Sequence, residues 1–287
     1  MALTIESQKK AGLIECNLNE ILFPVERVKQ EEFKCNSDYA YDIFGYINGI
    51  KTRLNCCSER YELVENSEVF AKVEETLRGH NINFEVTYYH LHHARFYADY
   101  KILNQAYTVA NGDIIYPNLR VQHSYNGLTK YGIKFGYFRQ VCTNGLTVPV
   151  KEKEQFNFAI GGKHTTIIKR SLEILSEKLQ FFINEGEKTL DVFREMTKRS
   201  TLNVEDRITE VMKFAKINIV NNKNVNTMQY ITEVIADEAR NYYGGIANDW
   251  LVYNGINRYI NDNNVNIKSP EVRAELDAKV IGFMIEG

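Results

Sequence analysis

His90-Leu91-His92-His93 is the first run whose residue types could do chemistry, since imidazoles two apart on a strand point to one face and can share a metal. A third ligand would have to come from His80, His123, Asp99 or Asp113. No HExxH or CxxC pattern accompanies the run, so packed or hydrogen-bonded histidines are the expectation and no metal or cofactor is expected. Cys142 and His123 fall near each other in a proposed hairpin, as a thiol and its base would, but such pairs in a sheet are more often small core groups. No GxSxG elbow occurs, and no catalytic residue is expected. Gly161-Gly162-Lys163-His164-Thr165 resembles part of a phosphate loop but lacks the first glycine at the required spacing. A strand-to-helix turn capped by Thr165 or Thr166 is the simpler reading.

Residues 86 to 140 carry a different chemistry. Arg95, Lys101, Arg120, Lys130, Lys134 and Arg139 stand there against only Asp99 and Asp113, a local excess of four positive charges in a chain of net charge −2. Twelve Tyr and Phe residues share the window, among them Tyr88, Tyr89, Tyr97, Tyr116 and Phe138. A single nucleic-acid strand needs this combination, because cations follow its phosphates and exposed rings stack on its bases at roughly 1–3 kcal/mol each. Arg95, Tyr97, Lys101, Arg120, Lys134 and Arg139 are the candidate contacts. The opposing reading places half of the rings in the core and the cations on solvated sheet edges.

The elements that position these residues change character near residue 160. Before it, alternating segments are punctuated by Asn-Gly at 48–49, 111–112, 126–127 and 144–145, a dipeptide suited to hairpin turns. Tyr41 to Ile47 should pair with Ile50 to Cys57. Glu62 to Arg78 reads as a helix, with Asn66 or Ser67 as its cap and Val69, Phe70, Val73 and Leu77 on one side. Phe84 to Ile102 is one long strand, or two broken near His92-His93, and Leu119–Tyr125 should join Tyr131–Cys142 through Asn126-Gly127. Beyond residue 160 the period lengthens to that of helices. Leu172, Leu175, Leu179 and Phe182 form a stripe resumed by Leu190, Phe193 and Met196. Helices are expected at Val204–Ile217 behind Asn203, at Thr227–Tyr243 before Gly244-Gly245, at Ala247–Ile260, and after Ser269-Pro270-Glu271. The expected fold is α+β: an antiparallel, hairpin-rich sheet with a packed helix over residues 1–160, followed by a helical, oligomerising region over 161–287.

Composition narrows the class further. With 287 residues, 44% of them hydrophobic, the chain can bury a core without disulfides. Its 35 Lys and Arg against 37 Asp and Glu exclude a uniformly basic surface. Five cysteines without CxxC spacing suit a reducing compartment, and neither a signal peptide nor an apolar run of 18 residues occurs, so a cytoplasmic protein with no membrane partner is expected.

Pro117-Asn118-Leu119-Arg120-Val121-Gln122-His123-Ser124-Tyr125-Asn126-Gly127, with Phe138-Arg139-Gln140-Val141-Cys142-Thr143-Asn144-Gly145-Leu146, resembles a phage- and plasmid-related family catalogued as domain of unknown function 932. Trp250 and Tyr253-Asn254 are similar to that family's Trp-x-x-x-Asn-Ala ending, with Gly255 in place of the usual alanine. The resemblance implies a mobile-element origin, in keeping with the abundance of residues that have AT-rich codons. A strand-rich half followed by helices also looks like the core of phage single-strand annealing proteins, an analogy of architecture alone. The resulting expectation is a non-catalytic homo-oligomer that binds single-stranded nucleic acid, in annealing or protection. The alternatives are a metal-dependent nuclease using His90 and His92, and a structural or host-inhibiting protein.

Overall fold

The computed structural model describes residues 14–30, 40–110, 112–140, 145–146, 159–162, 174–220, 226–262 and 270–286. Leu172, Cys142, Asn111, Asn144, Thr165 and Thr166 lie outside them. The fold is mixed, with antiparallel sheet in the N-terminal half and helices in the C-terminal half. Strands β2 (Val25–Lys29), β3 (Tyr41–Ile47) and β4 (Ile50–Cys57) form a three-stranded sheet in that order. A larger sheet runs β1 (Ile14–Cys16), β5 (Phe84–Leu91), β6 (Arg95–Ile102), β8 (Asp113–Ser124), β9 (Tyr131–Arg139) and β10 (Gly145–Leu146). In it β7 (Tyr107–Ala110) pairs with β8, and β11 (Ala159–Gly162) with β9.

The β3–β4 hairpin forms as expected, because Asn48 and Gly49 take φ of 52° and 77° and leave Ile47 opposite Ile50. Of the two readings of Phe84–Ile102, the broken one is observed, with the turn at His92-His93. The connection after β8 is longer than a two-residue turn. Ser124 Oγ donates to the Thr129 carbonyl, and Asn126 Oδ1 accepts from the Leu128 N–H, so side chains close a loop that ends at β9.

Helix α1 (Asn66–Gly79) buries Val69, Phe70, Val73 and Leu77, but its cap is Glu65, and neither Asn66 nor Ser67 plays that part. Asn66 is turned inward instead, as described below. After α2 (Leu175–Asn184) and α3 (Gly186–Lys198) come α4 (Val204–Ala215), α5 (Thr227–Tyr242), α6 (Asp249–Asn261) and α7 (Pro270–Glu286). Asn203, Asn226 and Asn248 cap α4, α5 and α6 by accepting from the N–H groups of Asp206, Gln229 and Leu251. Gly244 and Gly245, at φ of 59° and 83°, end α5. No described helix is long and apolar enough to cross a membrane.

The chain forms two compact units. Met1–Tyr100, Leu119–Lys134 and Ala159–Gln180 make the first; Lys101–Asn118, Phe135–Phe158 and Phe181–Gly287 make the second. The first is cored by the edge-to-face rings of Phe23, Phe96 and Tyr125, with centroids 5.2–6.0 Å apart. In the second, Tyr137 meets Phe182 and Phe193, and Phe193 meets Trp250 at 4.9 Å. Helices α5 and α6 pack closely at Gly255, where a β-carbon would stand 2.9 Å from Ile235 Cγ1 and 3.1 Å from Ile231 Cγ2. Gly255→Leu should therefore lower stability by about 1–3 kcal/mol in a urea melt, through overpacking. A variant as stable as the parent would mean that these helices separate easily.

Candidate nucleic-acid interface and the buried motif network

Strand β6 sorts its side chains by parity. Phe96, Ala98, Tyr100 and Ile102 are buried, whereas Arg95, Asp99 and Lys101 on the other face are partly exposed. Arg120 lies on that second face too, because its Nε and Nη2 donate to the two Asp99 oxygens, each at 2.6 Å. Burial works against the Arg120 charge, but the adjoining Asp99 carboxylate raises its pKa above the ordinary arginine value. A cation answered in this way has little left for a phosphate. Lys134 is half-exposed on β9.

Tyr97 and Arg139 correct the expectation. Tyr97 shares the parity of Arg95 but is only 1% exposed, with its hydroxyl 3.4 Å from Thr129 Oγ1, so no base can stack on it. Arg139 is fully buried, on the opposite parity of β9 from Lys134, and reaches no solvent in which to meet a phosphate.

In the second unit, Lys101 makes the most suggestive arrangement of the window. Its ammonium lies 4.5 Å from the centre of the Tyr116 ring and 5.1 Å from that of Phe138, and all three residues are half-exposed. Tyr116 and Phe138 stand in the aromatic window but outside the six candidates. Parity could have found them, since Tyr116 alternates in step with Arg120, and Phe138 with Lys134.

Two networks of buried polar groups hold the motif residues, one in each unit. In the second unit, Arg139 Nε and Nη2 donate to the two oxygens of Asp113 at 2.8 and 2.7 Å, and Nη1 donates to Glu238. Asp113 Oδ2 also accepts from the Tyr243 hydroxyl and the Trp250 indole N–H, each at 2.8 Å. Burial, with Asp113 beside it, pushes the Tyr243 phenol well up. In the first unit, Asn66 Nδ2 donates to the Ile21 carbonyl at 2.9 Å, and the Asn66 N–H donates to the Tyr125 hydroxyl at 2.8 Å. Asn66 Oδ1 accepts from His123 Nδ1 at 2.9 Å, which fixes the proton of that imidazole on Nδ1.

The histidine run assembles differently from the expected pair. His92 leaves the strand for the turn, while His93 folds back to stack on His90, with ring centres 4.1 Å apart and planes tilted by 23°. Imidazole lone pairs lie in the ring plane, so two nearly parallel stacked rings do not converge on one ion. Among the described residues, no three His, Cys, Asp or Glu side chains are grouped to hold a metal.

A family model described as Domain of unknown function (DUF932) matches residues 53–275. The chain belongs to this family. No curated protein and no solved structure matches it. The DUF932 region contains both buried networks apart from the Ile21 carbonyl, and the family-like motifs supply their central groups: His123 and Tyr125 in the first unit, Arg139 and Trp250 in the second. Asn254, near the end of the region, donates through Nδ2 to the Trp250 carbonyl at 2.7 Å within α6. In this DUF932 chain the motif residues named here are thus held inside the units, and the half-exposed cations and rings of the β6 face lie beside them in sequence.

Proposed function

We propose that this chain binds single-stranded nucleic acid without catalysis, as a protein of phage or mobile-element origin whose copies assemble along the strand during annealing or protection. The supporting observation is the cluster of Lys101, Tyr116 and Phe138, in which a cation and two half-exposed rings share one sheet surface. A base laid on either ring would bring its neighbouring phosphate towards the Lys101 ammonium, which joins the two contributions that a flexible strand offers. Arg95 and Lys134, half-exposed in the first unit, stay in the proposal as separate phosphate contacts.

Fluorescence anisotropy with a labelled oligothymidylate at low salt tests the proposal. The parent chain should bind, and Tyr116→Ala and Phe138→Ala should each weaken Kd by about 5- to 150-fold, the equivalent of one lost stack. Lys101→Ala should flatten the dependence of log K on log salt by about 0.7, the value for one phosphate contact on a single strand. Light scattering with and without the oligonucleotide reads the assembly. Absence of any anisotropy change at micromolar protein and low salt would sink the proposal.

A further inference from the structure

Strands β5 and β6 are joined by a turn whose two central residues, His92 and His93, both hold left-handed backbone, at φ of 55° and 51°. That geometry favours glycine and asparagine, and a histidine stays there only when its surroundings hold it. What holds His93 is its ring, stacked 4.1 Å from His90, which is itself 4% exposed and lies opposite Ile14 of β1 in the sheet register. The Nδ1 atoms of both rings are buried with no hydrogen-bond partner. Two such rings pack as apolar plates only while both are uncharged. Protonation of either places a cation against its neighbour, and a proton on either buried Nδ1 finds no acceptor.

We propose that the His90–His93 stack is an acid-sensitive clasp, which keeps the β5–β6 turn closed and β1 seated while neutral and releases both when protonated. The charged and titratable groups around it have opposing effects. Glu20, on the 3-10 turn of residues 18–20, favours the protonated rings, whereas burial outweighs it and, with His93 and His92 adding to it, takes His90 down to about 4. Burial likewise lowers His93 against Glu20, and lowers His92 with Arg95 of β6 adding to it. On β1, burial pushes the Cys16 thiol up to about 11, so it brings no charge, and Glu15 lies opposite Tyr89.

The sign follows from these directions. Histidines whose pKa falls on closing contribute stability that is complete above the ordinary value of 6.5 and is lost as the pH drops from there to about 4. The equilibrium constant for opening should rise by up to about 300-fold over that interval, the factor set by a fall in pKa from 6.5 to about 4.

NMR on the full chain tests the clasp. The His90 Cε1–H signal should titrate near pH 4 and that of His93 below its ordinary value of 6.5, and the amide signals of Ile14–Cys16 and His90–Arg95 should change with them. Fluorescence of Trp250, which lies in the other unit, should stay constant over the same range. His93→Phe keeps a stacking ring that cannot be protonated and should lower the opening midpoint by at least one pH unit. His93→Asn suits the left-handed turn but removes the stack, so it should leave β1 open already at pH 7. Titration of His90 and His93 near 6.5, β1 opening only together with the Trp250 change, or β1 seated at pH 7 in His93→Asn would each overturn the clasp.

Discussion

Asp113→Ala should destabilise the second unit by about 3–5 kcal/mol, the cost of removing one partner from a buried ion pair. The carboxylate is fully buried and accepts four hydrogen bonds, two from Arg139, one from Tyr243 and one from Trp250. Its loss leaves the indole N–H and the Tyr243 hydroxyl without their acceptor. It also leaves the Arg139 guanidinium, 0% exposed, with Glu238 as its remaining carboxylate among the described residues. A domain with about 5–15 kcal/mol of total stability has little in reserve after such a loss. Urea melts followed by the fluorescence of Trp250, the single tryptophan, read this directly because the indole lies in the network itself. Asp113→Asn, with the same shape but one acceptor replaced by a donor facing Arg139, should fall between parent and alanine. A cost below about 1 kcal/mol for the alanine variant would mean that the network follows from the packing and does not support it.

The same cluster shows where reading the chain by its pattern stops. Arg139 looks like one more cation in a basic window, since isolated arginines are rarely fully buried. Its partners are 26 and 99 residues away, and no periodicity links a strand arginine to a helix glutamate at that distance. Asn66 misleads in the same way. An asparagine ahead of an apolar helix stripe satisfies the local rule for a cap, but its side chain is spent on Ile21 and His123, 45 and 57 residues away. Elements governed by short-range physics are legible: the Asn48-Gly49 turn, the Asn203 cap, the Gly244-Gly245 stop and the two faces of β6. Tyr97 is the exception on that strand, buried although it carries the polar parity, with its hydroxyl 3.4 Å from Oγ1 of the loop residue Thr129. Local alternation separates two faces, but what later lies across a face is decided by chain far away in sequence.

Asn66→Ala should cost the first unit about 2–6 kcal/mol, and it removes no charge, which sets it apart from the Asp113 case. Two buried groups lose their partner, the Ile21 carbonyl and the N–H on His123 Nδ1, and each orphaned group costs about 1–3 kcal/mol. The backbone bond from Asn66 N–H to the Tyr125 hydroxyl survives in the alanine variant, so Tyr125→Phe measures that third link separately, at about 1 kcal/mol. Asn66→Asp retains the acceptor for His123 but places a second acceptor against the Ile21 carbonyl, and should do no better than alanine. Trp250 lies in the other unit, so the melt should be followed by far-ultraviolet circular dichroism or by the NMR signals of β5 and α1. If Asn66→Ala melts with the parent, Ile21 and His123 have found other partners, and the polar residues of the His123–Tyr125 motif are not what ties α1 to the sheet.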